Sequence, residues 1–67
     1  SITDACVAGL CARTAIRGAF LNVKINCLDY EDKKFVAKII KEGNKIEEIA
    51  KNIEESIINI TEKTMKP

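Results

Sequence analysis

The chain has no histidine and no tryptophan, one tyrosine, two phenylalanines and one proline. Without histidine, the usual zinc constellations built on that ligand are excluded. With so few rings there is no platform on which nucleic-acid bases could stack. An excess of one charge is missing too, since eleven basic residues against ten acidic ones leave a net charge of +1. That balance speaks against a nucleic-acid footprint and against a funnel for acidic substrates. No apolar run reaches the roughly 20 residues that cross a bilayer, and no stretch has the pattern of a secretory signal peptide. Neither nucleic acid nor membrane is therefore an expected partner, and a cytoplasmic location is expected. The cysteines, Cys6, Cys11 and Cys27, are odd in number and show no Cys-x-x-Cys spacing. Cys6 and Cys11 would stand about 140° apart around a helix, so they should not pair. All three read as buried free thiols in a reducing compartment, and no metal site is expected.

Length sets the next bound. A chain of 67 residues buries only about 60 % of its unfolded surface. Small domains usually make up the shortfall with disulfides, a metal or a partner subunit. With the first two excluded, association with another chain is the expected remedy. The chain begins at Ser1 with no methionine, which fits processing or truncation of a longer protein.

What is present is a helix crowded with small residues. Thr3 to Asn26 holds Ala5, Ala8, Gly9, Ala12, Ala15, Gly18 and Ala19, and beyond its first turn only Arg13, Arg17 and Lys24 are charged. Ser1 or Thr3 is placed to cap it, with Asp4 suited to the positive end of the helix dipole. At 100° per residue, Asp4, Ala8, Cys11, Ala15, Ala19, Asn22 and Asn26 share one side. Val7, Leu10, Thr14, Leu21 and Leu28 form a greasier strip, and Ala5, Gly9, Ile16, Phe20 and Val23 fill another flank. Apolar groups around most of the circumference predict a helix covered on several sides. Arg13, Arg17 and Lys24 line the remaining arc, read either as a solvated or salt-bridging face or as a strip for an anionic ligand.

Leu28 to Asp32 breaks the pattern, with Asp29 as the expected cap of a second helix returning antiparallel. From Glu31 to about Met65, Ile39, Ile46, Ile53 and Ile60 recur every seven residues, and Val36, Gly43, Ala50 and Ile57 run three positions earlier. Together they predict an a/d-like seam. Gly43-Asn44 resembles a helix stop, but the register runs through it unshifted, and one interior glycine costs only about 1 kcal/mol. One long helix is expected, its outer face carrying Lys34, Lys38, Lys41, Lys45, Glu48, Lys51, Glu55 and Glu62. Asn59-Ile60-Thr61 matches the glycosylation sequon by chance, and Pro67 falls after the helix has ended. The fold class expected is all-α: an antiparallel hairpin of helices at about 3–27 and 31–65, part of a larger, oligomeric helical bundle.

Chemistry has few footholds. The chain shows no glycine-rich phosphate loop, no HExxH and no paired carboxylates. Polar groups on the small-residue helix, Asp4, Arg17, Asn22 and Asn26, are the suggestive feature. A buried amide left unpaired costs about 1–3 kcal/mol, so Asn22 and Asn26 either tie down neighbouring backbone or face a ligand with amide-like edges.

These same residues carry a resemblance. Thr3-Asp4, the small-residue helix, Arg17-Gly18-Ala19 and Asn22-Val23-Lys24-Ile25-Asn26 resemble the signature segment of the formiminotransferase-cyclodeaminase family, including its stand-alone cyclodeaminase and methenyltetrahydrofolate cyclohydrolase members. Phe35-Val36 ahead of a long charged helix is similar to the C-terminal portion of that family's domain, of which residues 1–67 would form the last third or so. Thr3 stands where serine is commoner. The resemblance implies an all-α homodimer or higher oligomer. It implies folate one-carbon chemistry: 5-formiminotetrahydrofolate converted to 5,10-methenyltetrahydrofolate with loss of ammonia, or hydrolysis of the methenyl compound. The tetrahydrofolate derivative would be the substrate, with no metal and no redox cofactor. On this reading Asp4 is the catalytic candidate, and Asn22, Asn26 and, more weakly, Arg17 bind substrate, in a pocket completed by the rest of the domain. A fragment would be inactive alone. The competing expectation is a non-catalytic helical hairpin that acts as an oligomerisation module.

Overall fold

The computed structural model describes residues 1–65, which form two helices, α1 (Ile2–Cys27) and α2 (Lys33–Met65), joined by a short turn. The helices pack as an antiparallel hairpin measuring 56 × 15 × 12 Å. Among the described residues there is no strand, so the all-α hairpin expected from the sequence is what forms. The expectation for Pro67 lies outside the described residues.

Local chemistry accounts for the ends of the helices. Ser1 caps α1, its Oγ accepting the Asp4 backbone N–H at 3.4 Å while the hydroxyl donates to Asp4 Oδ2 at 3.1 Å. At the other end Leu28 N–H reaches Ile25 O at 3.3 Å, and Tyr30 N–H reaches Cys27 O at 3.2 Å. α2 is capped by Asp32, whose Oδ1 accepts the Phe35 N–H at 3.0 Å. Asp29, the expected cap, sits in the turn instead. Only Asp32 stands three residues ahead of an unpaired helical N–H, the distance at which a short carboxylate can reach back. The Tyr30 and Phe35 rings stack at 5.5 Å across this corner.

The core is thin. Phe20, 7 % exposed, is the one buried hydrophobic residue among those described, and Thr61, 6 % exposed, is its polar counterpart. α1 meets α2 along Cys6, Gly9, Arg13, Ile16, Phe20, Lys24 and Cys27, the half-buried or buried positions, which recur every three to four residues. Two glycines let the helices close up. A methyl on Gly9 would come within 2.9 Å of Ile57 Cδ1, and one on Gly43 would overlap the Phe20 ring. Gly43 therefore does not stop α2; it makes room for Phe20, and the helix runs through it.

The seam differs from the expected one in phase. Val36, Gly43, Ala50 and Ile57 face α1 as predicted. The second row of the seam is Ile40, Glu47, Glu54 and Thr61, one position beyond the isoleucine row. Ile46, Ile53 and Ile60 stay 54–55 % exposed on the flank, and Ile49 is 59 % exposed beside them. The apolar sector of α2 is thus wider than one neighbour can cover. α1 was expected to be covered on several sides, but within this chain only the arc against α2 is covered, and Val7, Leu10, Leu21 and Ile25 remain exposed.

Candidate functional site

Each expected site residue occupies a defined place on α1. Asp4 lies in the first turn with its side chain 89 % exposed. Asn22 and Asn26 lie one turn apart near the other end, where Asn26 Nδ2 donates to Asn22 O at 3.0 Å and approaches Asn22 Oδ1 at 3.5 Å. Both side chains are exposed. The structure brings the two asparagines together through a bond inside α1 itself, and neither amide is buried. Asp4 and Asn22 share a face, because eighteen helical steps return to the same angle, but they stand about 27 Å apart along the axis.

Arg17 belongs to a different cluster. Its Nη1 lies 3.9 Å from Glu47 Oε2, with the side chain 61 % exposed. Arg13, one turn earlier and deeper in the seam, reaches Glu47 Oε1 at 3.9 Å through Nη1 and Glu54 Oε1 at 3.9 Å through Nε. Its Nη1 is buried with no hydrogen-bond partner among the described residues. Lys24 Nζ sits 4.5 Å from the centre of the Phe20 ring, a cation–π contact rather than an open cationic site. Within the basic arc, Arg13 and Arg17 form salt bridges to the neighbouring helix. Glu47 and Glu54 are the partners that sequence reasoning missed. The available signal was their spacing of seven in the row next to the isoleucines.

The Arg13 cluster has a measurable consequence. Its side chains are only 16–23 % exposed where they meet, so removing the cation leaves Glu54 without a partner and Glu47 with the exposed Arg17 alone. Arg13→Leu should destabilise the hairpin by about 1–2 kcal/mol, below the range for a fully buried pair because water reaches these groups. Arg13→Leu combined with Glu54→Leu should recover part of that loss in thermal unfolding. A double variant less stable than the single one would contradict the ion-pair account.

A shallow apolar groove of about 370 Å³ follows the flank of the hairpin, lined by Ile16, Phe20, Val23, Ile39, Gly43 and Ile46 with Glu42 at its rim. None of the four expected site residues lines it. Among the described residues no group of histidine, cysteine and carboxylate side chains is arranged to hold a metal. The cysteines are free, with Cys6 and Cys27 half-buried and Cys11 exposed. Cys11 was expected to be buried; it lies on the side of α1 turned from α2. Among the described residues no helix is long and apolar enough to cross a membrane.

Residues 1–45, which contain α1, the turn and the start of α2, match the sequence profile described as formiminotransferase-cyclodeaminase. The chain belongs to the formiminotransferase-cyclodeaminase family. No curated protein and no solved structure matches it. The family match contains Asp4, Arg17, Asn22 and Asn26, and it ends before Glu47 and Glu54. The polar row of α1 is thus inside the part held in common with this family, whereas the acidic half of the Arg13 cluster is outside it.

Proposed function

We propose that this chain is the C-terminal portion of a folate cyclodeaminase or methenyltetrahydrofolate cyclohydrolase domain that acts in the cytoplasm. The match of residues 1–45 to the formiminotransferase-cyclodeaminase family carries this reading. In the cyclodeaminase reaction, N10 of 5-formiminotetrahydrofolate attacks the formimino carbon. The N10 proton and one further proton pass to the terminal nitrogen, and the bond from that carbon to it breaks so that it leaves as ammonia. The product, 5,10-methenyltetrahydrofolate, is a cation. Asp4 is the group assigned to orient the proton donor or to stabilise the developing charge. Asn22 and Asn26 offer amide donors and acceptors to the pterin edge. Arg17, already engaged by Glu47, is the weaker candidate, for the acidic tail of the ligand. No electron is gained or lost, so the reaction requires no redox cofactor.

The exposure of Asp4 and of both asparagines fits a pocket that further polypeptide completes. The intact domain supplied with 5-formiminotetrahydrofolate should release ammonia and methenyl product in equal amounts. Hydrolysis of added methenyl compound without ammonia release would select the cyclohydrolase reaction. Neither reaction in a folded, intact domain would refute the assignment. A second reading, a non-catalytic association module, is favoured by the exposed row of Ile46, Ile49, Ile53 and Ile60. It gives no role to Asp4 and Asn22.

A further inference from the structure

Asn22 and Asn26 lie on the side of α1 turned from α2. Asn22 stands about 200° around the helix from Phe20, which faces the seam, so no group of α2 competes for either amide. What holds the pair is internal to it. Asn26 Nδ2 lies 3.0 Å from Asn22 O and 3.5 Å from Asn22 Oδ1. A main-chain carbonyl can only accept, so the end of the Asn26 amide beside it must be the NH2 group. That settles the second amide as well. The same NH2 group meets the Asn22 side chain, where it attracts an oxygen and repels another NH2. The contact is long for a hydrogen bond, yet its sign decides which end of the Asn22 amide is turned toward Asn26. Asn22 therefore keeps Oδ1 on the Asn26 side and sends Nδ2 outward, where it has no acceptor among the described residues.

The outward group is a donor alone, two N–H bonds with no oxygen beside them. Gly18 stands one turn back, and nothing lies within 4 Å of where its Cβ would be, so a flat ring can approach Nδ2 edge first. Along the edge of a pteridine, the complement of such a group is the one ring carbonyl, at C4. In a 4-amino analogue an NH2 group replaces that oxygen, and donor would face donor. Once further polypeptide covers this face, water can no longer fill the mismatch, and each unpaired donor bears its full desolvation cost.

We propose that Asn26 is a positioning residue for Asn22, which rests on the folate reading above. It turns the Asn22 amide so that Nδ2 donates to the ring carbonyl of the substrate, and it thereby selects 4-oxo over 4-amino pteridines. Asn26 touches no ligand on this assignment; it acts through the orientation of its neighbour. The discrimination belongs to the pair, because Asn22 with nothing to orient it can offer either end of its amide.

The test is the affinity of the intact domain for tetrahydrofolate and for its 4-amino-4-deoxy counterpart, two ligands that differ at this one position. The unaltered domain should bind the 4-oxo compound more tightly by about tenfold or more. Asn26→Asp leaves an acceptor where the donor was, and an Asn–Asp pair one turn apart is a favourable one. Asn22 should then give its Nδ2 to Asp and present Oδ1 to the ligand, so the preference should invert. A merely structural role for Asn26 would weaken both ligands alike and leave their ratio unchanged. Should Asn26→Asp lose its helix, Asn26→Leu decides: it removes the orienting group without adding charge, and the ratio should fall close to one. Equal binding of the two ligands by the unaltered domain overturns the proposal, as does a preference that the deciding variant leaves in place. If the folded, intact domain binds neither ligand, the folate reading falls and this assignment with it. Binding of both with an unmoved ratio sinks the positioning role alone.

Discussion

Phe20→Ala should lower the unfolding free energy by about 3–4 kcal/mol, enough to leave little of the hairpin folded. A chain of this size has only a few kcal/mol of stability, at about 0.05–0.15 kcal/mol per residue. Phe20 is the one hydrophobic side chain among those described that α1 and α2 bury between them. Its ring lies over Gly43 on α2, with Lys24 Nζ 4.5 Å from its centre. Truncation would open a cavity beside Ile16 and Ile39, which line the same groove as the ring. The glycine offers a test from the opposite side. Gly43→Ala gains about 1 kcal/mol of helix propensity, yet its methyl would overlap the ring, at about 1–3 kcal/mol for forced overpacking. Net destabilisation is the expected sign. In the double variant Phe20→Ala/Gly43→Ala the methyl enters the space that the ring has left, so the two losses should be markedly less than additive. Thermal or urea unfolding followed by circular dichroism measures all three, and simple additivity would show that Phe20 and Gly43 are not the contact that sets the helix spacing.

That contact also marks how far the sequence alone could be read. Two helices, the antiparallel return and the unbroken passage through Gly43 were legible, because they follow from a 3.6-residue period, a polar turn and an unshifted register. The phase of the seam was not. Hydrophobic periodicity reveals how wide an apolar sector is, not which part of it a given neighbour covers. On α2 the sector spans both the row that meets α1 and the row of Ile46, Ile53 and Ile60, which are left exposed. The choice between them is made by α1: Arg13 enters the seam and takes Glu47 and Glu54 with it, and a row of glutamates scores as surface in any reading of hydropathy. The capping shift from Asp29 to Asp32 is of the same kind, since two aspartates in a five-residue turn are equivalent until the first helical N–H is fixed. The polar row Asp4, Asn22 and Asn26 was legible on one face of α1, and the structure leaves all three exposed there. Its completion was not legible, because Asp4 and Asn22 lie at opposite ends of one rod and the groups that would close a pocket around either are not on it.

The second large effect concerns that carboxylate. On the proposed assignment, Asp4→Asn in the intact domain should lower turnover about 10²- to 10⁴-fold, the range for loss of a positioned acid–base group. The substitution is chosen because it keeps the shape and the acceptor oxygen. The side-chain oxygen can still receive the Ser1 hydroxyl, now at 3.1 Å from Oδ2, while the Ser1 cap of the Asp4 N–H is untouched. What is lost structurally is one negative charge at a helix N-terminus, worth about 0.3–1 kcal/mol, and an exposed side chain buries nothing further. Melting should therefore move by a few degrees at most while the rate falls by orders of magnitude, a separation that a merely structural role would not produce. Asn22→Ala should show the opposite division: substrate contacts that are equal in ground and transition states raise KM and leave kcat nearly unchanged. If Asp4→Asn folds and turns over at the normal rate, the carboxylate has no part in moving the proton, and Asp4 is left with its contacts at the end of α1.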